Sequence, residues 1–362
     1  MQKFNCSNCG HIVYFQNVHC VRCGSPLGFL PERLTMSALQ PTPDNELETI
    51  GEQPLRVHYC SNSQHGVCNW LMRKGDLSGL CRACDLNRTI PNLSDNGSTA
   101  AWAALEDAKK RLIYALMRLS LPFDEEIDGK PGLKFDFVSG AMTGHADGLI
   151  TVNLAEADAV ERERARQLFA EPYRSLLGHL RHESGHYYWT ILVDRTPHID
   201  KFRRLFGDER IDYECALSQY RAAGPPTDWQ SSYVSAYASS HPWEDWAETW
   251  AHYLHIIDAV DTAEANGITL ANDQDSANRF DSYSAEAFDA LIERWVPLTL
   301  ALNSLSRSMG HQDFYPFVNP SAALEKMAFV HGLVQAVGKE RAVRRASGWH
   351  GEQKVLPNLS NH

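Results

Sequence analysis

The hydrophobic positions beyond residue 98 predict one helix, a small sheet and then mostly helices. A helical pattern runs from about Thr99 to Leu119, where large aliphatic side chains recur at helical spacing. Two short runs bounded by glycines, LKFDFVSG and GLITVNL, alternate or are rich in β-branched residues and predict strands. Further helical patterns cover 158–192 with a break near Pro172, 227–258, 284–305 and 320–337. The order predicts an α+β fold.

Composition and charge narrow the class of protein. The chain has 362 residues, 43% of them hydrophobic, so one sizeable domain plus smaller modules is expected. The net charge of −11 argues against a nucleic-acid binder, because neutralising phosphates requires a surplus of Lys and Arg. No apolar run suits a membrane span or a signal peptide, which predicts a cytoplasmic protein without a membrane partner.

Eight of the nine cysteines lie before residue 85, and in a reducing cytoplasm such a cluster indicates metal rather than disulfides. The first group consists of two CxxC turns separated by ten residues. Two such turns supply the four thiolates of a tetrahedral zinc site, and Gly10 and Gly24 follow them where the backbone turns tightly. A zinc ribbon is therefore predicted over 1–40, with ligands Cys6, Cys9, Cys20 and Cys23.

A second zinc-binding module is predicted over 55–92, after a Pro- and acid-rich connector at 41–54. Its expected ligands are Cys60, Cys68, Cys81 and Cys84. His58 and His65 lie near enough to replace a cysteine, although thiolates are preferred in a closed structural site. Neither module is large enough for a useful apolar core, so the metal would supply the folding energy.

Beyond the cysteine-rich region, the strongest candidate for a catalytic motif is HESGH, residues 182–186. Histidines at i and i+4 share one helix face, so both imidazoles can bind one Zn²⁺ while Glu183 faces the hydrolytic water as general base. Apolar neighbours would bury the opposite face of this helix. Gly185 costs about 1 kcal/mol relative to alanine within a helix, which indicates that another element packs closely there.

A catalytic zinc site also needs a third protein ligand and an open position. Trp189 and Leu192 stand where the metzincin pattern requires glycine and histidine, which excludes that pattern. In HPWEDWAETWAHY, Glu244 is the candidate ligand, and Glu248, one turn later, is placed to accept the Nδ1–H of His182. Two alternatives stay open: Glu248 as the ligand, and His252, which shares the same helix face.

Two motifs resemble a known metallopeptidase site. HESGH and YASSHPWEDWAE resemble the HExGH and tyrosine–glutamate–glutamate arrangement of the anthrax lethal factor catalytic domain and related gluzincins. The layout of the whole chain is similar to a bacterial family of zinc-binding metallopeptidases with an N-terminal zinc ribbon. The resemblance implies a zincin-like domain in which His182, His186 and Glu244 are ligands and Glu183 is the general base. It also implies that Tyr237 stabilises the oxyanion and that Glu248 orients a ligand.

Other residues of the predicted metallopeptidase domain, 98–345, receive less specific interpretations. GLITVNL suits either the edge strand that aligns substrate in zincins or an ordinary core strand. The other nearby histidines are expected to be capping, surface or core residues: His179, His241, His252 and His255. The tryptophans near Glu244 predict core packing, and Cys215 is expected to be buried. A solvated basic end begins at Lys339 with Arg341, Arg344 and Arg345, and a tail covers 346–362.

The predicted function is zinc-dependent peptide hydrolysis, with one catalytic and two structural zinc ions. The substrate would be a peptide or protein, and a protein partner could dock on the ribbons. The alternative is a zinc-stabilised module that binds a protein or peptide without cutting it. A ribbon-directed nucleic-acid binder is a third interpretation, and the acidic charge disfavours it.

Overall fold

The computed structural model describes residues 3–168, 174–268, 280–284 and 286–346. Its N-terminal part is rich in strands and its C-terminal part is mainly helical, which confirms the predicted α+β class. The strands are β1 (Phe4–Asn5), β2 (Ile12–Val13), β3 (Leu27–Leu30), β4 (Thr35–Pro41), β5 (Leu47–Thr49), β6 (Arg56–Tyr59), β7 (Leu71–Arg73), β8 (Asn87–Thr89), β9 (Lys134–Val138), β10 (Gly144–Ala146) and β11 (Leu149–Asn153). The helices are α1 (Ser98–Arg118), α2 (Ala159–Leu168), α3 (Leu176–Leu192), α4 (Ile199–Phe206), α5 (Tyr213–Ala223), α6 (Pro242–Ala265), α7 (Phe288–Ser308) and α8 (Ser321–Ala346).

An antiparallel sheet of β3 to β7 connects the two cysteine groups. The sheet curls until β3 meets the segment before β7, where the Phe29 N–H donates to the Asn69 carbonyl at 2.9 Å. Gly28 permits this approach, because an added Cβ would lie 2.5 Å from the Leu71 side chain. The interpretation of 41–54 as a plain connector is wrong, since β5 lies within it and pairs with β4 and β6.

The cysteine-rich region shares its core with the helical region. Phe15 and Phe29 contact Tyr114 of α1, with ring centroids 5.4 and 5.8 Å apart. Phe29 also contacts Trp70, at 4.8 Å. These rings belong to one apolar cluster that continues into the helices. The N-terminal region therefore packs directly on α1.

A second sheet lies beside the helix that carries HESGH. Its strand order is β10-β11-β9-β8, with β8, β9 and β11 parallel and β10 antiparallel to β11. GLITVNL forms β11, which is internal to this sheet, so the edge-strand interpretation is wrong. In the described sheet β10 is the edge strand next to α3, where His145 contacts Tyr187 with ring centroids 6.4 Å apart.

The predicted helices appear with shifted limits. The predicted helix at 158–192 is seen as α2 and α3, and Pro172 lies outside the described residues. The helical prediction for 227–241 is wrong, because His241 is extended before Pro242, which suits the first position of α6. Helices α4 and α5 were not predicted. Among the described residues, no helix combines the length and apolarity that crossing a bilayer requires.

The C-terminal helix continues past the predicted solvated end. Arg341 of α8 donates to the Ser120 carbonyl at 3.0 Å and forms an ion pair with Glu125. The expectation that the basic segment is simply solvated is therefore wrong for Arg341. Arg344 pairs with Glu340 along the same helix. Beyond Ala346, the predicted tail lies outside the described residues, as does the side chain of Arg345.

Candidate metal centre and active site

Two helices bring the predicted ligand residues together. His182 and His186 lie one turn apart on α3, and Glu244 enters from the first turn of α6. Oε2 of Glu244 lies 3.0 Å from Nε2 of His182 and 3.6 Å from Nε2 of His186. One potential ligand atom from each residue lies within 4.8 Å of the others. Two imidazole nitrogens and one carboxylate oxygen are a donor set typical of catalytic zinc sites.

Close packing of α3 on α6 sets this geometry. A Cβ added to Gly185 would lie 2.9 Å from the Cα of Ala247, so glycine permits the approach that the sequence predicts. The indole N–H of Trp246 donates to the Gly185 carbonyl at 2.9 Å, and that of Trp250 donates to the Ser184 hydroxyl at 3.1 Å. Both tryptophans are fully buried, as expected for core residues. The glutamate is thus held opposite the imidazole pair.

Glu244 has the surroundings expected of a metal ligand. It is 1% exposed, and its Oε2 has no hydrogen-bond partner among the described residues although it faces both imidazoles. A buried carboxylate oxygen without a hydrogen bond destabilises the folded protein unless a cation binds to it. Burial opposes the charged form, but His186 and His182 hold the pKa of Glu244 well below its ordinary value. The donor set therefore fits a divalent cation such as Zn²⁺.

Glu248 lies behind His182. The His182 Nδ1–H donates to Oε1 of Glu248 at 2.7 Å, and the Ser235 hydroxyl donates to Oε2 at 2.6 Å. This contact fixes the ring so that Nε2 points toward Glu244. His252, one turn further along α6, pairs with the Tyr315 hydroxyl at 2.5 Å. Neither residue belongs to the group of convergent ligand atoms.

The cysteines form two separate four-thiolate groups within the described residues. In the first, the sulfurs of Cys6 and Cys23 are 3.7 Å apart and those of Cys9 and Cys20 are 3.6 Å apart. Gly10 and Gly24 have φ angles of 72° and 73° after the CxxC turns, as the sequence predicts. In the second group, comprising Cys60, Cys68, Cys81 and Cys84, all four cysteines are buried.

Backbone amides also point at the second group of sulfurs. The N–H of Cys81 donates to the sulfur of Cys60, and the N–H of Trp70 donates to that of Cys68, both at 3.4 Å. Neither His58 nor His65 joins the sulfurs. His65 instead contacts Trp102, with ring centroids 6.0 Å apart.

Comparison with known families agrees with this geometry. Residues 98–333 match a family model described as "Putative zinc-binding metallo-peptidase". The chain belongs to this family. Residues 3–95 match a zinc-ribbon domain, which spans both cysteine groups and the sheet between them.

Relatives that match most of the chain occur in mycobacteria. Uncharacterized proteins of Mycobacterium bovis and of two Mycobacterium tuberculosis strains are each 42% identical over 348 residues, covering 94% of this chain and 97% of theirs. No solved structure matches the chain. The resemblance to the lethal factor catalytic domain stays a prediction from two motifs.

Tyr213 is a site residue that the sequence did not reveal. Its hydroxyl donates to Oε1 of Glu244 at 2.6 Å, the oxygen that does not face the imidazoles. Tyr213 begins α5, and no motif or spacing around it signals a metal site. Only the fold brings it to the ligand, because α5 lies beside the turn that precedes α6.

Glu183 is buried on α3, and it pairs with a histidine that was expected to be a bystander. Its Oε1 lies 3.4 Å from Nε2 of His179, one turn earlier on the same helix. Burial disfavours the charged carboxylate, but His179, His182 and His186 together lower the pKa of Glu183. The carboxylate is therefore ionised near neutral pH and able to accept a proton.

Aromatic side chains border the ligand group. Tyr237 lies in a short 3₁₀ turn, 37% exposed, with its ring centroid 6.0 Å from that of His182. Burial and the charge of Glu244 raise the pKa of Tyr237 far above its ordinary value, so its hydroxyl stays protonated. Trp243 contacts His186, with centroids 3.9 Å apart. Trp243 is half-buried and borders the site, so the predicted core packing is wrong for this tryptophan.

The predictions for the other histidines and for Cys215 have different outcomes. His241 caps the start of α6, accepting from the Trp243 N–H at 3.0 Å, and this is one of the roles expected. His255 lies against Arg181, at 2.5 Å. Cys215 is exposed, so its predicted burial is wrong. It lies in the first turn of α5, where its N–H is bound by the capping Asp212 at 2.7 Å.

Proposed function

We propose that this protein is a zinc-dependent peptidase that hydrolyses peptide bonds with an activated water molecule. The observation that carries the proposal is the convergence of His182, His186 and Glu244, with Glu183 beside them on α3. Three protein ligands leave a coordination position open, which distinguishes a catalytic zinc site from a structural one. Zn²⁺ bound there would polarise the scissile carbonyl and lower the pKa of water toward about 7.

Glu183 would act as the general base and then as the general acid. As an ionised, buried carboxylate it would accept the proton of the attacking water and deliver it to the leaving amine. Such proton transfer contributes about 10²–10⁴-fold to the rate. Glu248 and Ser235 would keep His182 oriented, and Tyr213 would do the same for Glu244.

Tyr237 would stabilise the oxyanion that forms on the substrate carbonyl. Its raised pKa keeps the hydroxyl a donor, and its ring faces His182 at the partly exposed side of the ligand group. A donor placed where negative charge develops stabilises the transition state more than the bound substrate. Tyr237 would therefore affect kcat more than KM.

The substrate would bind in extended form along β10. One side of β10 pairs with β11, and among the described residues no strand pairs with its other side. An extended peptide can add to such an edge through backbone hydrogen bonds, next to the helix that carries the ligands. The substrate class is therefore a peptide or an unfolded segment of a protein.

The two cysteine groups would hold structural zinc, giving one catalytic and two structural ions per chain. Their thiols must stay reduced to bind metal, which favours the cytoplasm as the location. A protein partner could dock on the ribbon region.

The proposal is tested by comparing wild type with Glu183→Gln on a peptide library, with and without chelator. Wild type should cleave peptides in a chelator-sensitive way, whereas the variant should keep its zinc and lose about 10²–10⁴-fold in rate. Glu293→Gln, at an exposed position on α7, is the matched control and should cleave normally. Equal activity in wild type and Glu183→Gln would refute the mechanism. Peptide binding without cleavage would indicate the non-catalytic binding module instead.

A further inference from the structure

His179 lies between the proposed general base and a second, half-buried carboxylate, that of Glu156. Its Nε2 lies 3.4 Å from Oε1 of Glu183, and its Nδ1 lies 3.5 Å from Oε1 of Glu156. Glu156 is held in turn by Arg174, at 2.8 Å. An arginine, a carboxylate, an imidazole and a second carboxylate thus follow one another from the end of the β11 segment to the metal centre.

Glu183 is buried, and its two neighbours in this group are half-buried. The side chains of Glu183 and Glu156 are 7% and 13% exposed, and that of His179 is 23% exposed. Among the described residues, His179 is the one side chain that forms an ion pair with Glu183. His179 is absent from the convergent ligand atoms, so it is not a metal ligand in this arrangement.

We propose that His179 is a positioning residue that holds the Glu183 carboxylate in the orientation needed for proton transfer, an inference that rests on the proposed peptidase function. A glutamate side chain has several rotatable bonds, and proton transfer requires the carboxylate within hydrogen-bond reach of the water. His179 fixes one carboxylate oxygen and leaves the other for the proton. Glu156 faces the other side of the imidazole, 3.5 Å from Nδ1, so the ring lies between two carboxylates.

The charges of the group support this role. Burial opposes the charged imidazole, but contacts with Glu156 and Glu183 outweigh it and raise the pKa of His179 to about 9. A ring that donates from both nitrogens can bind both carboxylates at once. A protonated His179 would therefore attract the Glu183 carboxylate by charge as well as by geometry.

Two amide substitutions at His179 each keep one of the two contacts of its ring and remove the other. Asparagine places its amide near the position of Nδ1, facing Glu156, whereas glutamine extends its amide to the position of Nε2, facing Glu183. If His179 acts on the base, H179Q should keep kcat within about threefold of wild type, whereas H179N should lose about 10- to 100-fold. KM and bound zinc should change little in either variant.

The same amide pair at His331 is the matched control. His331 of α8 is buried, and its Nδ1 pairs with the hydroxyl of Tyr253, which lies more than two turns along α6 from Glu244, at 3.1 Å. H331N and H331Q should keep the kcat of wild type. Equal kcat in H179N and H179Q would overturn the positioning role, because a merely structural histidine would not distinguish the two amides in this way.

Crystal structures of the zinc-loaded variants provide a readout that does not depend on activity. Glu183 should keep one orientation in wild type and H179Q, with the contact to residue 179 intact, and should rotate away in H179N. An unchanged Glu183 in H179N would overturn the inference. If E183Q is as active as wild type, the proposed function fails. If E183Q is inactive but H179N keeps full kcat, only the role of His179 fails.

Discussion

The two cysteine groups contain the same four thiols but differ in their surroundings. In the first group Cys23 is exposed and Cys9 is half-buried, and the group lies next to a two-stranded ribbon of β1 and β2. In the second group all four cysteines are buried and α1 covers them. The comparison indicates that the first group lies closer to the surface, whereas the second is enclosed between the zinc-ribbon region and α1.

Buried lysines on α1 connect the second group to the helical domain. Lys109 donates to Glu106 at 2.9 Å and also to Asn87, three residues after Cys84. Lys110 donates at 3.0 Å to the carbonyl of Val67, the residue before Cys68. A four-thiolate zinc site carries a net negative charge, which cations nearby offset. The helix therefore contacts the segments on both sides of the second group.

The third, histidine-containing group differs from both. Each cysteine group gathers its ligands from turns within about 25 residues, whereas Glu244 joins His182 and His186 only because α3 packs on α6. Local turns can form a site early in folding, whereas the third site requires a complete tertiary contact. We therefore expect substitutions at the three groups to differ in their effects on stability and on zinc binding.

The largest expected effect follows from removing one thiolate of the buried group. C84S should lower the unfolding temperature of the whole chain by more than about 10 °C, because a buried structural zinc site contributes several kcal/mol to folding. C23S removes the exposed thiol of the first group and should shift the main transition by only about 1–3 °C. Thermal unfolding followed by circular dichroism, together with zinc analysis, measures both. Similar shifts in the two variants would contradict the surface-versus-core distinction.

A smaller effect is expected where α3 meets α6. G185A adds a Cβ 2.9 Å from the Cα of Ala247, and overpacking of this kind costs about 1–3 kcal/mol. The shift of α6 should also move Glu244 and weaken zinc binding at the histidine site while both cysteine groups keep their metal. Urea denaturation and metal titration report the two effects. G332A is the matched control, since an added Cβ there meets nothing within 4 Å. Unchanged zinc binding in G185A would show that the close contact does not position Glu244.

The smallest effect is expected from Y213F, which removes one hydroxyl bound to Glu244. Loss of an outer contact to a metal ligand lowers metal affinity by about 10- to 100-fold. Competition with a chromophoric chelator should show this loss at the histidine site alone. A loss at a cysteine site, or none anywhere, would mean that Tyr213 does not orient the ligand.

The sequence predicts the features that depend on local spacing. The CxxC turns, HESGH and the pair Glu244 and Glu248 each lie within one turn or one helix, so the spacing of short motifs marks them as candidates. The long amphipathic helix α1 and the strand β9 appear close to their predicted limits for the same reason. The ligand atoms converge as the motifs require.

Features that depend on tertiary contacts could not be predicted. Nothing in GLITVNL distinguishes an internal strand from an edge strand, because the short β10 that covers it has no strand signature of its own. Tyr213 and His179 lie outside any motif, and their partners come from separate elements or from a helix face whose direction only the fold defines. Within the connector at 41–54, β5 forms because β4 and β6 supply pairing partners.

Diffraction at the zinc absorption edge tests the central claim most directly. Crystals of the zinc-loaded protein should show three anomalous peaks per chain, one at each cysteine group and one bound by His182, His186 and Glu244. A third peak bound through Glu248 in place of Glu244, or peaks at the cysteine groups alone, would contradict the account.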